Sequence, residues 1–159
     1  MDLDLYKGQI LEFAGSIPRV GRLDAPDASA DAHSRLCGSR ITIDIKLDGN
    51  VIADYAHEPK ACAIGQASAS AVARTVVGLT VDEVNDGAEI MTAILKKKTP
   101  PTSSTWSVLE PFLPVADFRS RHNSAFLPFE ALQRAIAELG LSRDESTPAT
   151  ISTEPVART

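Results

Sequence analysis

Cysteine is scarce in this chain of 159 residues: Cys37 and Cys62 are the whole complement. No disulfide framework can therefore carry the fold, and none is needed at a length that buries a real core without staples. Positive charge is equally sparse. Sixteen Lys and Arg against twenty-one Asp and Glu leave a net charge of −5, which speaks against nucleic-acid binding. The one basic run, Lys96-Lys97-Lys98, falls where a helix should end and complements the helix dipole. No apolar stretch reaches the ~20 residues that span a bilayer, and the acidic opening Met1-Asp2-Leu3-Asp4 lacks the basic region of a secretory signal. A cytoplasmic protein with reduced thiols, no membrane and no nucleic-acid partner is the resulting expectation. There is no internal repeat, glycine-rich phosphate loop or nucleophile elbow, so hydrolase and dehydrogenase chemistry has nothing to rest on.

What is present divides into an early sheet and later helices. Ile41, Ile43, Ile45 and Leu47 alternate with polar residues, and a second strand pattern follows over 51–56. Asp48-Gly49-Asn50 lies between them, giving a β-hairpin. Residues 28–36 supply a third strand, since a lone ribbon would be marginal. Residues 5–14 predict a short helix, and 15–31 a loop or irregular edge strand. The small residues of 63–73 suit a buried helix closed by Gly78. Thr80 and Glu83 predict a capping box opening a helix with Val81, Val84, Ala88, Met91 and Leu95 on one face. A helix broken by Pro111 and Pro114 is expected over 106–118, and a final amphipathic helix over 126–139. The layout is α+β, a small three-stranded antiparallel sheet with four to five helices packed on it. It forms a single domain over 1–141, and the polar segment 142–159 reads as a disordered tail.

The cysteines carry the chemistry. Cys37 lies twelve residues before Gly49 and Cys62 thirteen after it, so a regular hairpin brings both sulfurs to one open end, within ~8 Å. Such a pair can form a disulfide, supply half of a soft-metal site, or simply pack. Cys62 opens a helix, whose amides and dipole would stabilise a thiolate. Gly38 permits a tight backbone approach beside Cys37. Asp44 and Asp54, one on each strand, are expected to face solvent.

Leu36-Cys37-Gly38-Ser39 before the hairpin, and Cys62-Ala63-Ile64-Gly65-Gln66-Ala67-Ser68-Ala69-Ser70 after it, resemble two motifs of the iron–sulfur cluster assembly scaffolds (IscU/SufU/NifU N-terminal-like). Arg121-His122-Asn123-Ser124-Ala125-Phe126-Leu127 resembles the third, R-x-K-C-A-x-L, and the long interval before it is similar to the SufU branch. The resemblance runs from about Leu5 to Leu139 and implies a three-stranded sheet covered by helices. It also implies iron or a transient Fe–S cluster as cargo, or zinc, held by three cysteines and an aspartate. Its partners would be a cysteine desulfurase and apo iron–sulfur acceptor proteins. Here Ser39 takes the aspartate's place and Ser124 that of the third cysteine. A neutral hydroxyl is a poor ligand beside a thiolate, so Ser124 reads better as an N-cap, with Pro128 in the first turn, and Ser39 as a turn residue. Among His33, His57 and His122, the last lies nearest the third motif and is the favoured substitute ligand.

Three functions follow. In the first, a scaffold or sulfur acceptor takes persulfide sulfur at Cys62 or Cys37 and holds iron or a cluster through Cys37, Cys62, Ser39 and Ser124. The second is a non-catalytic interaction module with a degenerate site and no cofactor. The third is a zinc-binding sulfur shuttle through Cys37, Cys62 and His122.

Overall fold

The computed structural model describes residues 8–36 and 38–140. The start of the first expected helix, Cys37 and the expected tail from 142 thus lie outside the described residues. The element order is α1 (Gln9–Gly15), β1 (Ala28–His33), β2 (Arg40–Asp48), β3 (Val51–Lys60), α2 (Ala63–Thr75) and α3 (Val81–Lys97). Two 3₁₀ segments, Ser107–Asp117 and Arg119–Arg121, then lead into α4 (His122–Glu138).

The three strands form one antiparallel sheet in the order β1-β2-β3. Ile41, Ile43 and Ile45 are buried on one face, and strand alternation sends Thr42, Asp44 and Lys46 to the other. The β2–β3 register is continuous from Arg40↔Lys60 to Lys46↔Asp54, then shifts so that Leu47 meets Ile52. Ala53 is the extra residue of this bulge, three residues after the Gly49-Asn50 turn. Residues 19–21 extend the sheet beyond β3, as His57 donates to the Arg19 carbonyl (3.1 Å) and accepts from Gly21 N–H (2.8 Å).

Small side chains make α2 the central helix. Ala67, Ser68, Ala69, Ser70, Ala71 and Ala73 are all buried, so α2 packs closely between α1 and α4 while also touching β3. The Ser68 hydroxyl donates to the Ala125 carbonyl on α4 at 2.5 Å, and Ser70 accepts from Arg74 at 3.1 Å, so these buried hydroxyls are satisfied. Gly78 does not close α2 as expected. Its φ of +95° turns the chain back to the sheet, where its N–H donates to Ile52 at 2.8 Å.

The capping box forms. Glu83 N–H donates to the Thr80 hydroxyl at 3.1 Å, and the Glu83 carboxylate accepts from Thr80 N–H at 2.9 Å. The α3 face buries Val81, Val84, Ala88, Met91 and Leu95, with Ile94 added. Pro111 and Pro114 do not break the next helix but lie within a 3₁₀ winding. At three residues per turn, Leu109, Phe112 and Val115 stack on one buried face. Trp106 anchors this segment over α3. Its indole donates to the Glu83 carbonyl at 2.8 Å, and its ring lies so near Gly87 that a Cβ there would come within 2.4 Å.

The outer sheet face corrects one expectation. Asp44 does not face solvent but is fully buried beneath the 22–29 segment. Its carboxylate takes two bonds from Arg22 (2.8 and 2.9 Å), one from Ser29 (2.6 Å) and one from Leu23 N–H (2.9 Å). The Arg22 hydrogen bond, with those of Ser29 and Leu23, outweighs burial and holds the Asp44 pKa down to about 2. Asp54 is half-exposed, 3.4 Å from Arg19.

Candidate functional site

The open end of the hairpin is where the motifs meet. With Arg40 opposite Lys60, Ser39 and Cys62 lie just beyond the paired strands. The Ser39 hydroxyl, only 2% exposed, accepts the Cys62 N–H at 3.1 Å. The loop before β2 is closed by its own backbone: Ser34 N–H donates to Ser39 (2.7 Å), and Gly38 N–H donates to Ser34 (2.9 Å). Gly38 has φ +75°, a conformation that favours glycine. This loop carries position 37, although Cys37 itself is outside the described residues.

Cys62 is the N-cap of α2, half-buried and packed against the core. No hydrogen bond joins its sulfur to the first amides of the helix, so the expected amide contact is not made. Ser39 therefore acts on this residue through its backbone. Two exposed cations, Arg40 and Lys60, sit in register beside the pair. They give the rim a positive fringe that the sequence reading overlooked, although both directly flank the cysteine motifs.

The third motif arrives from α4. Ser124 is not the N-cap; α4 begins at His122 and Ser124 is buried in its first turn. Pro128, lacking an N–H, removes the bond that a helix would return to the Ser124 carbonyl. Gly65 faces this turn. A Cβ built on Gly65 would lie 3.7 Å from both the Ser124 Cβ and its carbonyl oxygen, and 2.7 Å from Ala61. Glycine one turn after Cys62 thus makes room for the Ala61 side chain, with the Ser124 turn in ordinary contact beyond it, and Ser124 reaches the same end of α2 as Ser39.

The histidines are deployed elsewhere in the fold. His33 is exposed at the end of β1. His57 is fully buried, with Nε2 donating to the Pro18 carbonyl at 2.8 Å, and burial depresses its pKa. His122 bonds the Ala116 carbonyl through Nε2 at 3.1 Å and lines a cleft against α3. Among the described residues, no three His, Cys, Asp or Glu side chains converge as a metal site would require.

The profile described as NifU-like N terminal domain matches residues 5–125. The chain belongs to this family. It is 28% identical over 108 residues to the zinc-dependent sulfurtransferase SufU of Bacillus subtilis, covering 68% of this chain and 74% of that protein. It is 32% identical over 80 residues to the iron–sulfur cluster assembly scaffold protein IscU of Thermotoga maritima, covering 50% of this chain and 56% of that one. The crystal structure of a nitrogen-fixing NifU-like protein (N-terminal) from Brucella abortus superposes with TM-score 0.83 at 43% identity, covering 86% of this chain and 95% of that one. A putative SUF-system scaffold from Fervidobacterium islandicum shares the fold at 21% identity and TM-score 0.77, covering 83% and 96% of the two chains. The expected sheet-and-helix architecture is that of the family.

Proposed function

We propose that this chain serves iron–sulfur cluster assembly as a scaffold-type sulfur acceptor, with Cys62 as the receiving thiol. The observation that carries this reading is the meeting of the three motif segments at the α2 N-terminus, with Ser39 on the Cys62 amide and Ser124 beside Gly65. Sulfur would come from the persulfide of a cysteine desulfurase. The Cys62 thiolate attacks the terminal sulfur, forming a persulfide on Cys62 and releasing the desulfurase cysteine as its thiolate. Electrons balance, and no external oxidant or reductant enters the step. Cys37, which the family pattern puts at the same site, would be the second thiol. Apo iron–sulfur proteins are the acceptors that such a role implies.

A resident zinc ion or a stable cluster fits the donor set poorly. Two of the family's four ligand positions are serines, and Ser39 already accepts a backbone N–H. Four soft donors are the usual complement of a structural zinc or cluster site. That shortage favours the interaction module with a degenerate site as the second reading. Incubation with a cysteine desulfurase and cysteine, followed by intact-mass analysis, separates them. The expected product is a mass gain of one sulfur, lost in Cys62→Ser. No gain on the parent chain would leave the interaction module.

A further inference from the structure

The cleft that His122 lines contains neither Ser39 nor Cys62 in its wall, and its composition is distinctive. It is an open groove of about 430 Å³ between the last turns of α3, the end of the 3₁₀ segments and the first turn of α4. Lys96, Arg119 and His122 meet there beside the Asn123 amide. An adjoining hollow of about 260 Å³ continues over Leu95 and Phe126. Lys96, His122 and Asn123 line both hollows, with Arg119 on one side and the apolar Phe126 on the other.

The charges are not used up by the fold. Among the described residues, Lys98 is held by Asp117 at 2.8 Å, whereas Lys96 and Arg119 make no ion pair. Lys96 faces the negative end of the α3 dipole, but Arg119 has no such reason to be there. The Ala116 carbonyl fixes the His122 ring in the cleft wall through Nε2–H. On a chain of net charge −5, a cationic concavity selects its occupant by sign. Its volume lies within the roughly 300–1,000 Å³ usual for small-molecule sites. We infer that this cleft binds a small molecule carrying an oxyanion, carboxylate or phosphate, on a short apolar body. The oxyanion lies between Lys96 and Arg119, where a guanidinium offers two parallel donors, with Asn123 as a further polar contact. The apolar body covers Leu95 and Phe126. Such a ligand would bridge α3 to the turn of α4 that carries Ser124.

The test is an amide-detected NMR titration of the full chain with phenyl phosphate, hydrocinnamate, inorganic phosphate and benzyl alcohol. Phenyl phosphate or hydrocinnamate should shift the Lys96, Arg119 and Asn123 amides saturably, at least ~10-fold tighter than inorganic phosphate or the neutral alcohol. Which of the two binds more tightly identifies the phosphate or the carboxylate source. Arg119→Glu and, separately, Lys96→Glu should each weaken binding by ~10-fold or more, while Lys46→Glu, on the outer sheet face beside Ala25, should not. An unchanged melting temperature certifies the fold of each variant. Absence of saturable shifts, binding no better than that of benzyl alcohol, or affinity indifferent to both charge reversals overturns the assignment.

Discussion

The Ser39 hydroxyl accepts the backbone N–H of Cys62 at 3.1 Å, so the residue in the aspartate's place steadies the cysteine's main chain. This bond joins the loop before β2 to the start of α2 across the open end of the hairpin. Ser39→Ala leaves a buried N–H without its acceptor and should destabilise the chain by about 1–2 kcal/mol. Denaturant unfolding of the two proteins measures it. A change within error would mean that the loop holds its position without the hydroxyl.

Aspartate can accept the same N–H, so Ser39→Asp need not break the helix start. Combined with Ser124→Cys it would complete, with Cys62 and Cys37, the donor set that the resemblance implies. The double variant should retain iron or zinc through gel filtration at markedly higher stoichiometry than the parent, read by elemental analysis. Equal metal content would mean that something other than these two positions limits the site.

Gly87 makes a prediction that runs against helix propensity. Glycine inside a helix ordinarily costs up to ~1 kcal/mol relative to alanine, so Gly87→Ala would stabilise an isolated α3. Here the new methyl meets the Trp106 ring at 2.4 Å. Displacing that ring also strains its bond to the Glu83 carbonyl. The substitution should instead destabilise the protein by about 1–3 kcal/mol. A raised melting temperature would show that the ring moves aside freely.

Much of the architecture was legible because it rests on local patterns. The alternation of Ile41, Ile43 and Ile45, the small residues of α2 and the Thr80–Glu83 box each set their own element. What escaped depends on partners from segments without periodicity. Asp44 alternates as a solvent-facing residue should, and only Arg22, Ser29 and Leu23 crossing above it make it a buried anion. The start of α4 was misjudged through Pro128, which suggests a first turn but sits in the helix interior. Its missing N–H is tolerated opposite Ser124, while Ser68 bonds the next carbonyl. The meeting of the motif segments was readable in outline. The Ser39 bond and the cationic cleft were not, because both join residues far apart in sequence.

Buried titratable groups divide the pH response into two windows. His57 has its pKa lowered by burial from 6.5, so the unfolded chain takes up that proton first. Stability is full above about pH 6.5 and declines as pH falls below it. Asp44 is depressed from 3.8 to about 2. Its contribution is present above about pH 4 and is lost as pH falls towards 2. Asp44→Asn should therefore lower the melting temperature at pH 7 and have little effect near pH 2. A difference of the same size at both pH values would show that the Arg22–Asp44 charge interaction is not what holds the outer segment.

Among the described residues, Cys62 packs against the edge of one continuous apolar core. Ile64, Ala67 and Val72 on α2 pack into one cluster with the sheet isoleucines, Trp106, Phe112 and Phe129. Ser39, Ser68 and the Thr80–Glu83 box close the helix ends and interior by hydrogen bonds. A metal-dependent fold would instead derive much of its folding free energy from four-donor coordination and unfold when the ion is withdrawn. The melting temperature of this chain should thus be the same with and without excess chelator, followed by circular dichroism. Any iron or zinc picked up at Cys62 and Cys37 should leave during the same treatment. A large fall on chelation would mean that a complete structural metal site exists, and the serines at 39 and 124 would then have to be counted among its supports.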